Sequence, residues 1–161
     1  MTNLSALAQA VAERLIARGE TRAIAESSSG GLISAALLAV PGASKFYVGG
    51  SVVYTARARM RLLDIPHKAT EGMRSSSEPY AALLARVTRE NLKATWGLSE
   101  TGAAGPTGNS YGDAAGHTCL GVANAEGETT FTLETGSDDR AANMQAFAGA
   151  ALERLLEALN G

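Results

Sequence analysis

Cysteine is nearly absent: Cys119 is the single thiol in 161 residues. One thiol excludes an internal disulfide and a cysteine-based metal site. Histidine is almost as scarce, and His67 and His117 are too far apart in the chain for metal-ligand spacing. Asp64 and Asp113 form no evident carboxylate pair. Runs of like charge are missing too: 14 Lys and Arg and 16 Asp and Glu are scattered, for a net charge of −2. With no basic stripe or arm, a nucleic-acid partner is not expected. The longest apolar run falls well short of the roughly 18 residues a membrane span needs, so no membrane partner is expected either. The first twenty residues are amphipathic and contain Glu13 and Arg14, unlike a secretory leader. A cytoplasmic protein is expected. Repeats, low-complexity segments and linkers do not occur, which predicts one domain over residues 1–161. At 45 % hydrophobic and 19 % charged residues, the chain is long enough to bury a core unaided.

What is present alternates in period. Leu4, Leu7, Val11, Leu15 and Ile16 are spaced as on a helix over Asn3 to Arg18, with Gly19 as a stop. Thr21 to Ala25 reads as a short buried strand. Ser29 is placed to cap a helix through Leu32, Ala36 and Leu37 to about Ala39, ended by Pro41-Gly42. Phe46 to Thr55 reads as a strand and Ala56 to Leu63 as a short helix. Ser77-Glu78-Pro79 starts a helix to about Thr95. Leu98 to Thr101 reads as a short strand. His117 to Asn124 and Glu128 to Glu134 read as a hairpin about Glu126-Gly127. Asp138 or Asp139 caps the last helix. Helices alternating with strands, then a late hairpin, predict an α/β fold: a three-layer α/β/α sandwich on a mixed sheet.

Three stretches carry the residue types chemistry needs. In Glu26-Ser27-Ser28-Ser29-Gly30-Gly31, hydroxyls and backbone N–H groups gather where a strand passes into a helix. Ser27 suits a nucleophile on a sharp turn, with N–H groups near Gly30 for an oxyanion. A helix cap with extra serines is the competing reading. In Tyr54-Thr55-Ala56-Arg57-Ala58-Arg59, Tyr54 ends a strand and Arg59 follows about a helical turn later. Tyrosine can relay a proton; arginine can clamp an anion but cannot act as a base. In Thr101-Gly102-Ala103-Ala104-Gly105-Pro106-Thr107-Gly108, closely spaced glycines resemble an anion-binding nest. It is neither a P-loop nor a dinucleotide fingerprint. Arg140 at a helix start opposes the helix dipole, which points to an anion contact as an alternative to a plain surface arginine.

In this order the blocks resemble the CinA C-terminal domain family. Its Ala-Glu-Ser-Cys-Thr-Gly-Gly turn stands here as Ala25 to Gly31. Its Pro-Gly-Ser/Ala-Ser stands as Pro41 to Ser44, and its Gly-Gly-x-Val-x-Tyr strand as Gly49 to Tyr54. Its Val-Ser-Glu helix start stands as Ser76-Ser77-Glu78, and its Gly-Ile-Ala-Gly-Pro-x-Gly loop as Gly102 to Gly108. The resemblance implies a nicotinamide-mononucleotide amidohydrolase without metal or organic cofactor, and a homo-oligomer. It implies Ser27 as nucleophile and Tyr54 as a catalytic residue. The family's lysine five residues after that tyrosine is replaced by Arg59, with Lys45 or Lys68 as stand-ins away from the aligned place. Glu26, Ser29, Gly30, Gly31, Gly102, Ala104, Gly105 and Arg140 are the expected contacts to a small-molecule mononucleotide. Two functions compete: amide hydrolysis through Ser27, or binding of a nucleotide or other phosphorylated small molecule without turnover.

Overall fold

The structure, a computed structural model, describes residues 3–161. Ten elements build it: α1 (Leu4–Arg18), β1 (Arg22–Glu26), α2 (Leu32–Leu38), β2 (Tyr47–Val52), α3 (Ala56–Leu63), α4 (Glu78–Leu92), β3 (Trp96–Ala103), β4 (His117–Asn124), β5 (Gly127–Glu134) and α5 (Arg140–Asn160), with short 3₁₀ turns at Ala43–Lys45 and His67–Thr70. The helix starts carry local signals. Asn3, Thr55, Ser77 and Asp139 each accept a backbone N–H from the first turn of α1, α3, α4 and α5, satisfying donors a helix start otherwise leaves orphaned. Gly19, at φ 63, closes α1 in the left-handed conformation.

The strands form one sheet in the order β2-β1-β3-β4-β5. β1 is parallel to both β2 and β3, while β4 and β5 run antiparallel. The mixed sheet and its two helical layers therefore match the sequence expectation. β1 has all five residues buried because parallel neighbours flank it and helices cover both faces. Ile24 belongs to the larger core, with Leu15 of α1, Ile33 and Leu37 of α2, Leu98 and Leu120 of the sheet, and Leu152 and Leu155 of α5. Ala25 belongs to the other core, with Leu63 of α3 and Tyr80, Leu83 and Leu84 of α4. Two glycines let α4 lie close on the sheet. A side chain at Gly97 would meet the Ala85 carbonyl oxygen, and one at Gly121 the Ala81 carbonyl.

β3 is longer than the predicted Leu98–Thr101. It starts at Trp96 and continues through Ala103, because the antiparallel register with β4 runs from Gly97 opposite Ala123 to Ala103 opposite His117. Local propensity does not foresee that: Glu100, Gly97 and Gly102 are poor strand residues. They are held by pairing. The helix before it stops at Leu92 rather than Thr95, where Lys93 takes φ 52 and closes it.

From β1 the chain leaves through α2 to β2 on one side of it. It returns through α4 to β3 on the other side. The strand order thus reverses at β1, and in open α/β sheets a ligand crevice forms outside the carboxyl end of such a strand. The residues immediately past that end are Ser27 to Gly31.

Candidate active site

Two carboxylates hold the turn after β1. Glu26 is fully buried. Its Oε1 accepts from Ser29 Oγ at 2.7 Å, Gly31 N at 3.0 Å and Ile33 N at 3.1 Å, and its Oε2 accepts from Ser34 N at 2.8 Å. Glu100, fully buried in β3, accepts from Ser27 N at 3.2 Å and Ser29 N at 2.7 Å through Oε1. Its Oε2 accepts from Ser28 Oγ at 2.5 Å and Thr118 Oγ1 at 2.7 Å. Several short-range donors on a buried carboxylate replace the water it has lost. Glu26 also sits at the start of α2, where its charge meets the positive end of the helix dipole.

This arrangement reassigns four expected ligand contacts. Glu26 and Ser29 point inward and bond to each other. The helix cap is supplied by the Glu26 carboxylate, not by the Ser29 hydroxyl, and the N-cap residue is Gly31 at φ 97. Gly30 and Gly31 serve conformation: both have positive φ, and a side chain on Gly30 would lie 2.8 Å from Met144 Cε. The N–H groups expected near Gly30 for an oxyanion are occupied, since Gly30 N donates to Ser27 O and Gly31 N to Glu26. Two groups remain. Among the described residues, Ser28 N is the one amide of the turn that donates to no protein atom, and Ser27 Oγ is the one hydroxyl of its three serines without a protein partner. Ser27 is half-buried.

Tyr54 lies at the carboxyl end of β2, on the same edge, and is 62 % exposed. Arg140, the first residue of α5, bridges from it to the glycine loop after β3. Its Nη2 donates to Tyr54 Oη at 3.3 Å and its Nη1 to the Gly105 carbonyl. The arginine that opposes its own helix dipole thus has a concrete role: it ties three chain segments together at one edge. Asn143 works beside it. Buried in α5, it donates from Nδ2 to Ala104 O and Ser137 O, both at 2.8 Å, and accepts from Thr135 Oγ1 at 2.6 Å. The Ala104 carbonyl is therefore engaged inside the protein. Gly102 is paired in the sheet opposite Thr118, where a side chain would collide with His117 O and Thr118. Gly105 takes φ 111 and packs on Asp138. The loop is a close-packed connection fastened by α5.

Arg59 is buried in α3, 4 % exposed, with its guanidinium 5.8 Å from the Tyr80 ring centroid. No protein atom accepts from its Nε or Nη2. Lys45 and Lys68 are both exposed. Lys45 precedes β2, so it lies at the amino ends of the parallel strands, the opposite edge from Ser27.

Three residues that matter were not foreseen: Glu100, Asn143 and His117. A carboxylate inside the Trp96–Ala103 strand was the available signal for Glu100, since a buried charge requires partners. His117 is buried at the start of β4; it bonds through Nδ1 to Glu134 and through Nε2 to Ser76 O at 2.8 Å. Burial pushes the imidazole toward neutrality, but the Glu134 and Ser76 bonds and the charges of Asp113 and Glu134 carry its pKa above the ordinary value. His117 thereby pins Ser76, a non-glycine residue at φ 56, at the entrance to α4. Cys119 adjoins this cluster, where burial pushes its thiol pKa up; it is not poised as a nucleophile. Among the described residues no group of His, Cys, Asp and Glu is arranged to hold a metal ion. Nor is any helix long and apolar enough to cross a membrane.

The mixed five-stranded sheet between helical layers sets the class, an α/β fold. The profile of the CinA C-terminal domain matches residues 4–159, and the chain belongs to that family. It is similar to a CinA-like protein of Desulforapulum autotrophicum, 35 % identical over 147 residues covering 91 % of this chain and 35 % of that protein. A CinA-like protein of Anaeromyxobacter dehalogenans is 38 % identical over 146 residues, covering 90 % and 36 %. The chain thus spans about a third of the length of these relatives. The crystal structure of a competence-damaged protein (CinA) superfamily protein from Escherichia coli matches with TM-score 0.90 and 29 % identity, over 97 % of this chain and 90 % of that one. A competence or damage-inducible protein from Enterobacter asburiae matches with TM-score 0.91 and 30 % identity, over 99 % of each.

Proposed function

We propose that the chain hydrolyses the carboxamide of nicotinamide mononucleotide, with Ser27 as nucleophile. The observation that carries this reading is selective: Glu26 and Glu100 engage the Ser28 and Ser29 hydroxyls and three of the five N–H groups from Ser27 to Gly31, the Ser27 carbonyl takes that of Gly30, and Ser27 Oγ and Ser28 N are left without protein partners. A free hydroxyl followed by a free amide is what acyl transfer needs, because the N–H after a nucleophile can stabilise the oxyanion. Ser27 Oγ adds to the amide carbon and gives up its proton, and the C–N bond breaks to release ammonia and leave an acyl ester on Ser27. Water then cleaves the ester, giving the nicotinate product and restoring the hydroxyl. Tyr54, with its oxygen held by Arg140, stands at the same edge to relay protons.

A second reading is favoured by Arg59, which stands where a lysine base is expected by resemblance: an arginine can clamp an anion but cannot act as a base. In that reading the chain binds a mononucleotide without turnover. The deciding experiment is ammonia release from nicotinamide mononucleotide by purified protein, with Ser27→Ala as control. Release that disappears in Ser27→Ala supports hydrolysis. No release at high enzyme concentration, together with thermal stabilisation by the mononucleotide, supports binding alone.

A further inference from the structure

We propose that Arg59 is an oxyanion-binding residue: the Nε and Nη2 edge of its guanidinium takes two oxygens of a single carboxylate or phosphate on a small-molecule ligand. The inference rests on reading the Ser27 edge as a ligand site, but not on catalysis there. Arg59 is 4 % exposed, and no protein atom accepts from Nε or Nη2. In a planar guanidinium these two nitrogens are adjacent, and their N–H bonds point in parallel. That edge is one of the forks that match a carboxylate or phosphate with two parallel hydrogen bonds. The unpartnered atoms are therefore a complete recognition element, not scattered leftovers.

The surroundings favour an anion. A buried charge left unpaired is costly, so a guanidinium here is best satisfied by a charged acceptor. α3 carries no Asp or Glu, and among the described residues Arg59 forms no ion pair. The position is also right. Arg59 lies over Tyr80, which packs in one cluster with Ala25 and Val53. Ala25 is two residues before Ser27, and Val53 directly precedes Tyr54. Arg22, the other buried arginine without hydrogen bonds, shares the unpartnered fork but differs in place and in stacking. It starts β1 at the far edge of the sheet, and its guanidinium is stacked 3.7 Å from the Tyr47 ring centroid.

The test is calorimetric titration of the whole protein with four probes: nicotinate, which offers a carboxylate; ribose 5-phosphate, which offers a phosphate; nicotinate mononucleotide, which offers both; and nicotinamide mononucleotide, which offers only the phosphate. Arg59→Lys keeps the charge and removes the fork; Arg57→Gln is a surface control. Binding of nicotinate and of its mononucleotide, without ribose 5-phosphate, identifies the carboxylate; the reverse identifies the phosphate. Arg59→Lys is expected to weaken the bound probe by about tenfold to a hundredfold, the loss of charge-assisted bonds, with Arg57→Gln close to wild type. The Arg59 Nε–H resonance of the unmutated protein should move on titration with that probe, a readout that survives if the variant fails to fold. Unchanged affinity in Arg59→Lys with a stationary Nε–H resonance overturns the proposal, as does the absence of binding to every probe at millimolar concentration. Ammonia release lost in Ser27→Ala is scored separately, so the oxyanion contact and the hydrolytic reading can fail independently.

Discussion

Replacing Glu26 by glutamine tests the claim that this carboxylate builds the turn. The residue keeps its size, but one oxygen becomes an NH₂ group. In one orientation the amide oxygen keeps Ser29 Oγ, Gly31 N and Ile33 N, and the NH₂ faces Ser34 N, now 2.8 Å from Oε2. The flipped orientation is worse, since the NH₂ then faces three donors. The better case loses one charge-assisted bond, leaves a backbone N–H and an amide N–H unpaired, and removes the charge at the α2 dipole. At about 1.5–3 kcal/mol for the bond and the groups it leaves unpaired, plus roughly 0.5–1 kcal/mol for the dipole, Glu26→Gln should cost about 2–4 kcal/mol. α2 has seven residues, too few to persist without its cap and packing, so the loss is not absorbed elsewhere. Urea unfolding followed by circular dichroism, with an unchanged m value, measures it. An unfolding free energy within about 0.5 kcal/mol of wild type would refute the claim.

Three further outcomes are expected. The His117 pKa is raised in the folded state, so its contribution is complete below the ordinary histidine value and is lost as pH rises through the folded value. Wild-type stability should decline from about pH 6.5 upward, by roughly 1 kcal/mol or less because Glu134 is largely exposed. His117→Gln should flatten that slope; an identical pH profile refutes it. Burial lowers the Arg22 pKa to about 9, so the group is charged and unpaired at neutral pH. Arg22→Met should raise stability by roughly 1–3 kcal/mol, with the difference shrinking above pH 9 as the wild-type penalty is relieved; calorimetric melting that shows a loss contradicts this. Gly97→Ala places a methyl group against the Ala85 carbonyl and should cost about 2 kcal/mol or more by forcing α4 off β3, read as a fall in melting temperature.

Much of the fold was legible because its signals are local. Period and caps are written within a few residues, so the helix read over Asn3 to Arg18 is found at Leu4–Arg18 with Asn3 as its cap, and the short helix read over Ala56 to Leu63 is found there. Asp139 caps α5 as one of the two predicted aspartates. The site was legible as a place but not as a set of contacts. Serines, a carboxylate and glycines between a strand and a helix mark a polar turn in any α/β chain. Which hydroxyl stays free depends on Glu100, more than seventy residues away in sequence, and a single sequence does not register that distance.

By itself, then, the amino-acid order determined the alternation of helices and strands, the turn after Glu26 and the family resemblance that the comparisons bear out. Tertiary structure decided how the polar groups were divided. It brought Glu100 under the turn through the β1–β3 pairing, turned Glu26 and Ser29 inward, and fastened Gly105 and Tyr54 through Arg140. It also buried Arg59 with a fork of two nitrogens unpartnered. The physical reason is that hydrogen bonds to buried groups are settled between segments distant in the chain. Their assignment becomes visible only when the sheet has brought those segments into register.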